Sequence, residues 1–295
     1  MPTLLDIPSY LIRPDLDNYK LARSITGMDH SGQVLETSVI EEKALTIYLN
    51  SIEVITAMTI GDYPELLAVG FLRNQGMLGA TDILVNVEYD DELGVVIVRT
   101  KHESDYEAKL SRKTRTSGCA VGTVFGDILE GLDSIALPKQ DVRSSSLYTL
   151  SHSINRTPSL YLKAGAIHGT VLCCGSDPLV YMEDVGRHNA VDKIAGWMYL
   201  NDEAPGDKLL YTTGRLTSEM VIKTALMGIP VLVSRSGFTA WGVDIARQVS
   251  LTLIGRLRGR KFVCLSGQER LIFDTDPGTI PEEDRKHLRK SKTDD

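Results

Sequence analysis

Cys119 stands alone in a loop of small residues, Ser117-Gly118-Cys119-Ala120-Val121-Gly122, behind a basic approach of Lys109, Arg112, Lys113 and Arg115. A thiol attacks as its thiolate, and nearby positive charge lowers its pKa. Two glycines let the backbone come close to whatever is bound there. The pattern suits a nucleophilic cysteine. The competing reading is a buried structural thiol, a common fate of free cysteine.

Four further stretches carry groups that could meet anions. Glu183-Asp184-Val185-Gly186-Arg187-His188-Asn189-Ala190-Val191-Asp192-Lys193 packs charged and polar side chains into a strand-to-helix junction. Helix N-termini present unpaired N–H groups and a positive dipole end, so Gly186, Arg187 and His188 could face a phosphate. Capping by Asn189 and a first-turn role for Asp192 would explain the same residues without a ligand. Gly214-Arg215-Leu216-Thr217-Ser218-Glu219 and Ser234-Arg235-Ser236-Gly237-Phe238-Thr239 repeat the design of glycine, arginine and hydroxyls ahead of a helix. Together they predict a crevice at the carboxyl ends of strands. Phe238 or Trp241 could stack on a base there, or pack in the core. Arg256-Leu257-Arg258-Gly259-Arg260-Lys261 sets four cations in six residues. Arginine forks bind phosphate oxygens bidentately, so a phosphate loop competes with a solvated charge run.

Other chemistries fit poorly. His168 and the Cys173-Cys174 pair have zinc-ligand types, but adjacent cysteines rarely share one tetrahedral ion. The H-x-E…P-C-x-x-C pattern of zinc deaminases is absent, so no metal site is expected. No phosphate-binding Walker loop or G-x-G-x-x-G occurs.

These residues need a scaffold. The chain has 295 residues, 42% hydrophobic and 24% charged, with a formal net charge of -7. That profile predicts a globular protein with a real core and argues against broad nucleic-acid binding. The first residues lack the apolar region of a secretory signal. No apolar run reaches the roughly 18–20 residues that cross a bilayer. Four irregularly placed cysteines form no disulfide framework, so a reducing cytoplasm is expected.

Residues 1–40 show weak periodicity. Alternating Leu45, Ile47 and Leu49, then Ile52 to Met58 after Asn50-Ser51, predict a hairpin. Tyr63 to Leu72 predicts a helix with Pro64 in its first turn. Ile83–Tyr89 and Leu93–Thr100 predict a second hairpin, making a small α+β unit. The polar run Asp141–Ser146 is read as a hinge. Beyond it, strands at Gly169–Cys173, Leu209–Thr212, Val231–Val233, Leu251–Ile254 and Lys261–Leu265 alternate with helices at Val191–Met198, Ser218–Met227 and Thr239–Val249. Alternation predicts an α/β sheet covered on both faces. The expected division is an N-terminal α+β unit over 1–140 carrying the Cys119 loop, an α/β unit over 141–275, and a disordered tail over 276–295.

The Pro64–Leu72 stretch, the Gly118-Cys119 loop, Glu-Asp-Val-Gly-Arg-His at 183–188 through Asp192-Lys193, and the run from Gly214-Arg215 to Arg260 resemble the FdhD family, the formate dehydrogenase accessory sulfurtransferases. The likeness covers roughly residues 40 to 270, and Glu-Asp-Val-Gly-Arg-His is its most specific part. The resemblance implies a cytidine-deaminase-like layered α/β/α C-terminal domain with a smaller N-terminal one, in a homodimer. It implies a sulfur carrier that takes sulfur from a cysteine desulfurase as a persulfide and passes it to the molybdenum or tungsten bis-guanine-dinucleotide cofactor, Mo-bis(molybdopterin guanine dinucleotide), of formate dehydrogenase. A guanine nucleotide such as GDP would mimic that cargo. Cys119 matches the persulfide cysteine, and Arg256 to Lys261 matches the segment that contacts the cofactor. Family members commonly carry Cys-x-x-Cys here, whereas this chain has Gly122 at the second position. Carriage needs one thiol, but release through a neighbouring thiol would have to use Cys173, Cys174 or Cys264. The alternative is a chaperone that holds the cofactor without moving sulfur.

Overall fold

The computed structural model describes residues 10–79, 82–101 and 131–280. The Cys119 loop with Lys109, Arg112, Lys113, Arg115 and Gly122 lies outside the described residues, as does the tail from 281 onward.

Two sheets and the helix between them set the geometry. The first sheet has the order β4-β3-β6-β5, from β3 (Lys43–Leu49), β4 (Ile52–Thr59), β5 (Leu84–Asp90) and β6 (Val95–Thr100). Both predicted hairpins are there, and Asn50 takes the left-handed conformation in the first turn. The inward side chains Leu45, Ile47, Leu49, Val96 and Val98 bury against Leu67, Ala68, Phe71 and Leu72 of helix α1 (Pro64–Asn74). Upstream, β1 (Ala22–Met28) and β2 (Val34–Ile40) pair as a largely exposed hairpin that weak periodicity did not predict.

The second sheet has six strands in the order β13-β12-β11-β10-β8-β9: β8 (His168–Cys174), β9 (Asp177–Asp184), β10 (Lys208–Thr212), β11 (Val231–Ser234), β12 (Thr252–Arg258) and β13 (Lys261–Ser266). β10, β11 and β12 are parallel, while β8 and β13 run against their neighbours. Side chains alternate across the sheet. Leu172, Leu210, Leu232 and Leu253 face α4 (Arg187–Leu200), α5 (Ser218–Leu226) and α6 (Ala240–Gln248). Val171, Tyr211, Val233 and Ile254 face Leu147, Leu150 and Ile154 of α2 (Ser144–Arg156). A short α3 (Leu160–Ala164) precedes β8.

The run 141–146 is not a linker. β7 (Val142–Arg143) pairs in parallel with β14 (Leu271–Ile272), and α2 begins at Ser144. The Asp274 carboxylate accepts from the Ser145 N–H at 3.0 Å and from the Ser144 and Ser145 hydroxyls at 3.1 and 2.7 Å. The segment is therefore tied to residues about 130 positions away.

α1 and α4 join the two sheets backbone to backbone. A methyl group on Gly70 would overlap the Asp192 carbonyl, and one on Gly196 would overlap that of Leu66. Only glycine allows this approach.

Candidate functional site

Four segments converge where β9, β10, β11 and β12 end. Antiparallel pairing brings the start of β8 to the same edge, with His168 opposite Asp184 and Thr170 opposite Thr212. The segments are stitched by short bonds. The Ser234 hydroxyl donates to the Gly214 carbonyl at 2.6 Å, and the Arg235 N–H donates to the Thr212 carbonyl at 3.2 Å. Leu216 N–H donates to the Gly237 carbonyl at 2.9 Å, and Arg256 N–H donates to the Ser236 carbonyl at 2.7 Å. The Arg258 guanidinium reaches the Arg235 carbonyl at 3.3 Å. The Arg187 side chain lies directly against Gly214, where any Cβ would crowd its methylenes.

The edge thus gathers Arg187, Arg215, Arg235, Arg256 and Arg258. Arg187 opens α4, Arg215 and Arg235 follow β10 and β11, and Arg256 and Arg258 lie in the last residues of β12, so all five are placed along one edge of the sheet. Arg235 is steered by Asn155 on α2, whose side-chain oxygen accepts at 2.6 Å. Arg256 is aimed by the backbone. Its φ is +56°, and the β12–β13 register slips between Gly255 and Arg258. A bulge re-aims side chains locally. Arg256 and Arg258 both face solvent, while Leu257 between them is fully buried in the core. Leu257 can therefore offer a ligand only its backbone. Gly259, also at positive φ, turns the hairpin into Lys261, which pairs with Arg258.

Asp184 and Glu183 build the frame instead of meeting a ligand. Asp184 is fully buried. It accepts from Gly186 N–H at 3.1 Å, from the Asn189 amide at 2.9 Å and from the Thr59 hydroxyl, and pairs with Lys193 at 2.7 Å. Glu183 accepts from the Leu160 and Tyr161 N–H groups at 2.8 and 2.9 Å, capping α3. Lys193 also bonds Asp62 and donates to the Glu183 carbonyl at 3.0 Å. Burial works against its charge, but Asp184 and Asp62 outweigh that and hold Lys193 above the ordinary lysine value. Asp192 pairs with Lys223 at 2.6 Å and accepts from Asn74 at 2.7 Å, so it serves the α1–α4–α5 junction and not the helix dipole. Asn189 turns back to Asp184 and the Met58 carbonyl, leaving Gly186 as the N-cap residue.

Of the predicted trio, Gly186 and Arg187 are partly exposed and His188 is buried. Burial, reinforced by Lys223, Arg187 and His168, pushes the His188 imidazole down to about 2, so it is neutral beside Glu219, 3.3 Å away. Phe238 packs its ring over Gly255 and is not free to stack on a base. Trp241 is half exposed at the start of α6.

The three described cysteines lie away from this edge. Cys173 and Cys174 end β8 at the opposite side, where Cys174 pairs with Lys208. Cys264 pairs with Ile254 inside the sheet. Burial raises all three thiols, and a hydrogen bond to Asp207 adds to the rise at Cys174. His168 and Thr213 at the edge, and Arg215 and Arg235 as rim cations, form the part of the site that family matching did not assign. The recurrence of Gly-Arg or Ser-Arg after each strand was the signal for the two arginines.

A model of the FdhD/NarQ family matches residues 40–272. A "Sulfur carrier protein FdhD" of Listeria monocytogenes serotype 4b (strain F2365) is 28% identical over 243 residues, 81% of this chain and 93% of its own. The protein of the same name from Wolinella succinogenes is 30% identical over 230 residues, 77% of this chain and 79% of its own. The crystal structure of a putative formate dehydrogenase accessory protein from Desulfotalea psychrophila superposes with a TM-score of 0.71 at 25% identity, covering 85% of this chain and all of that one.

Proposed function

This chain belongs to the FdhD/NarQ family, and on that premise we propose that it accepts sulfur from a cysteine desulfurase as a persulfide on Cys119 and delivers it to a guanine-dinucleotide molybdenum or tungsten cofactor destined for formate dehydrogenase. The names of the relatives support sulfur carriage and the formate dehydrogenase client. The observation that carries the cargo assignment is the rim of Arg187, Arg215, Arg235, Arg256 and Arg258 around one sheet edge. A pterin dinucleotide carries phosphates, and guanidinium forks with helix N-termini are the groups that bind them. Arg260 and Lys261, on the adjoining hairpin, extend the positive rim.

The chemistry divides between the two parts. The Cys119 thiolate attacks the outer sulfur of the desulfurase persulfide, and the desulfurase cysteine leaves as its thiolate. The arginine rim then holds the cargo's phosphates and fixes where its metal end can reach. Helices on both faces of the six-stranded sheet support a cytidine-deaminase-like C-terminal layering. A cytoplasmic homodimer completes the proposal; Met28, Val34 and Leu35, exposed on the β1–β2 hairpin, are apolar surface that a second subunit could cover.

A chaperone that binds the cofactor without moving sulfur is the second reading. It is favoured by Gly122 and by the placement of Cys173, Cys174 and Cys264 away from the arginine edge. Incubation with a cysteine desulfurase and cysteine, followed by non-reducing mass spectrometry, separates the two. Added sulfur on Cys119, absent in Cys119→Ala, supports carriage. An unmodified Cys119 in a protein that binds guanine nucleotide supports the chaperone.

A further inference from the structure

His168 stands at the arginine edge with a side chain that the sulfur-carrier chemistry does not use. It opens β8, and Gly169 behind it has no room for a Cβ because the Tyr181 ring fills the space. The strand is thereby pressed into the sheet with His168 at its rim. The Nδ1 atom lies 3.3 Å from the Thr213 hydroxyl, whose oxygen also accepts the Gly169 N–H at 3.1 Å. These contacts leave the far side of the imidazole ring uncommitted to Thr213.

The charges around the ring are lopsided. Arg187, from the first residue of α4, and Arg215, from the loop after β10, both act on it. The cross-strand neighbour Asp184 on β9 is spent on Lys193, Thr59, Gly186 and Asn189. His188 on α4 is neutral, and its partner Glu219 sits on α5. Burial first, then the two guanidinium groups, hold His168 below the ordinary histidine value.

We propose that His168 is a proton-coupled ligand for the diphosphate group held at this edge, neutral in the free protein and protonated against a phosphate oxygen in the complex. A diphosphate diester brings two negative charges, which offset Arg187 and Arg215 and make the imidazolium favourable. The proton comes from solvent, one per ligand bound, and no covalent bond changes. Binding therefore tightens as pH falls, by up to about tenfold per pH unit while one proton is linked. Release is favoured where the pH is higher or where a competing cation takes the phosphates. The inference rests on the reading of the arginine edge as a phosphate site.

The probe is GDP-mannose, a diester lacking the second phosphate proton that titrates near about pH 6 in a monoester. Titration calorimetry in buffers of different ionisation enthalpy counts protons taken up by the full-length protein and by His168→Gln. NMR of 13C-labelled histidine follows the His168 ring itself with and without ligand. The expected result is uptake approaching one proton per ligand near about pH 6 in the wild type and none in His168→Gln. The variant should match wild-type affinity near about pH 8 and fall up to about tenfold behind near about pH 6. Binding with equal proton uptake in both proteins, or a His168 signal that ligand does not move, overturns the inference and leaves the phosphate site standing. No binding by the wild type overturns both. Should His168→Gln fail to fold, the wild-type ring titration decides alone.

Discussion

Gly70 and Gly196 sit at the crossing of α1 and α4, each occupying space that any side chain would take from the other helix's backbone. The site depends on that crossing. Arg187 opens α4 behind the capping Gly186, and α4 is held to the β4-β3-β6-β5 sheet through α1 and through the Asn189 amide on the Met58 carbonyl. We expect Gly196→Ala to cost at least about 1–3 kcal/mol, because overfilling a packed contact forces the helices apart. Urea unfolding of the variant measures it; an unchanged midpoint would show that the two helices can separate freely.

Lys193→Met should destabilise more. It leaves Asp62 and Asp184 buried without their cation, and breaking one side of a buried ion pair costs roughly 3–5 kcal/mol. The triple variant Lys193→Met, Asp62→Asn, Asp184→Asn should recover part of the loss, since the uncompensated charges are gone. Thermal unfolding of both proteins provides the comparison. A single variant as stable as wild type would mean the lysine contributes nothing to holding the α1–α4 junction.

The buried His188 gives a pH dependence with a definite sign. Its folded value, about 2, lies below the ordinary 6.5, so below pH 6.5 the unfolded chain binds a proton that the fold excludes. Stability contributed by the neutral ring is thus present above pH 6.5 and falls with acid, by at most about 1.4 kcal/mol per pH unit. His188→Gln should flatten this slope in urea midpoints measured from neutral to acidic pH. His152 and His168, shifted the same way, leave a shallower background. A variant with the wild-type slope would place the acid sensitivity elsewhere.

Alternation of apolar residues made the two N-terminal hairpins legible, because each buries one face. The β10–α5–β11–α6–β12 run was legible as short apolar strands, buried on both faces, alternating with helices. What escaped was set by distant partners. Ser144-Ser145-Ser146 looks like a flexible stretch until Asp274 supplies the acceptor for two of its hydroxyls. The β1–β2 hairpin buries almost nothing and so leaves little apolar pattern. Within the site, Glu183 and Asp184 are as polar as Arg187, and no feature of their spacing says that two turn inward as caps and ion-pair partners. The family motif marked one strand-to-helix junction, and only packing divides its buried residues from its exposed ones. The arginines after each strand were legible as neighbours at one sheet edge because their place there needs only the order of strands and helices.

Arg256 separates binding from folding. A non-glycine residue at φ +56° carries a local cost of about 1–2 kcal/mol, and the bulge that holds it buries Leu257 while turning two arginines outward. Arg256→Gly relieves that cost and gives back about 0.5–1 kcal/mol of it through a freer unfolded chain, so stability should stay within about 1 kcal/mol of wild type. The same change removes a guanidinium from the rim. A hydrogen bond to a charged group contributes about 1.5–3 kcal/mol, so affinity for a guanosine diphosphate ester should fall roughly ten- to a hundredfold. Paired calorimetric titration and thermal unfolding test both halves together. Lost affinity with an unmoved melting temperature identifies Arg256 as a ligand-facing cation that the fold holds in place at its own expense. Lost stability with intact affinity would instead make the left-handed turn a packing device and shift the phosphate contacts to Arg187, Arg215 and Arg235.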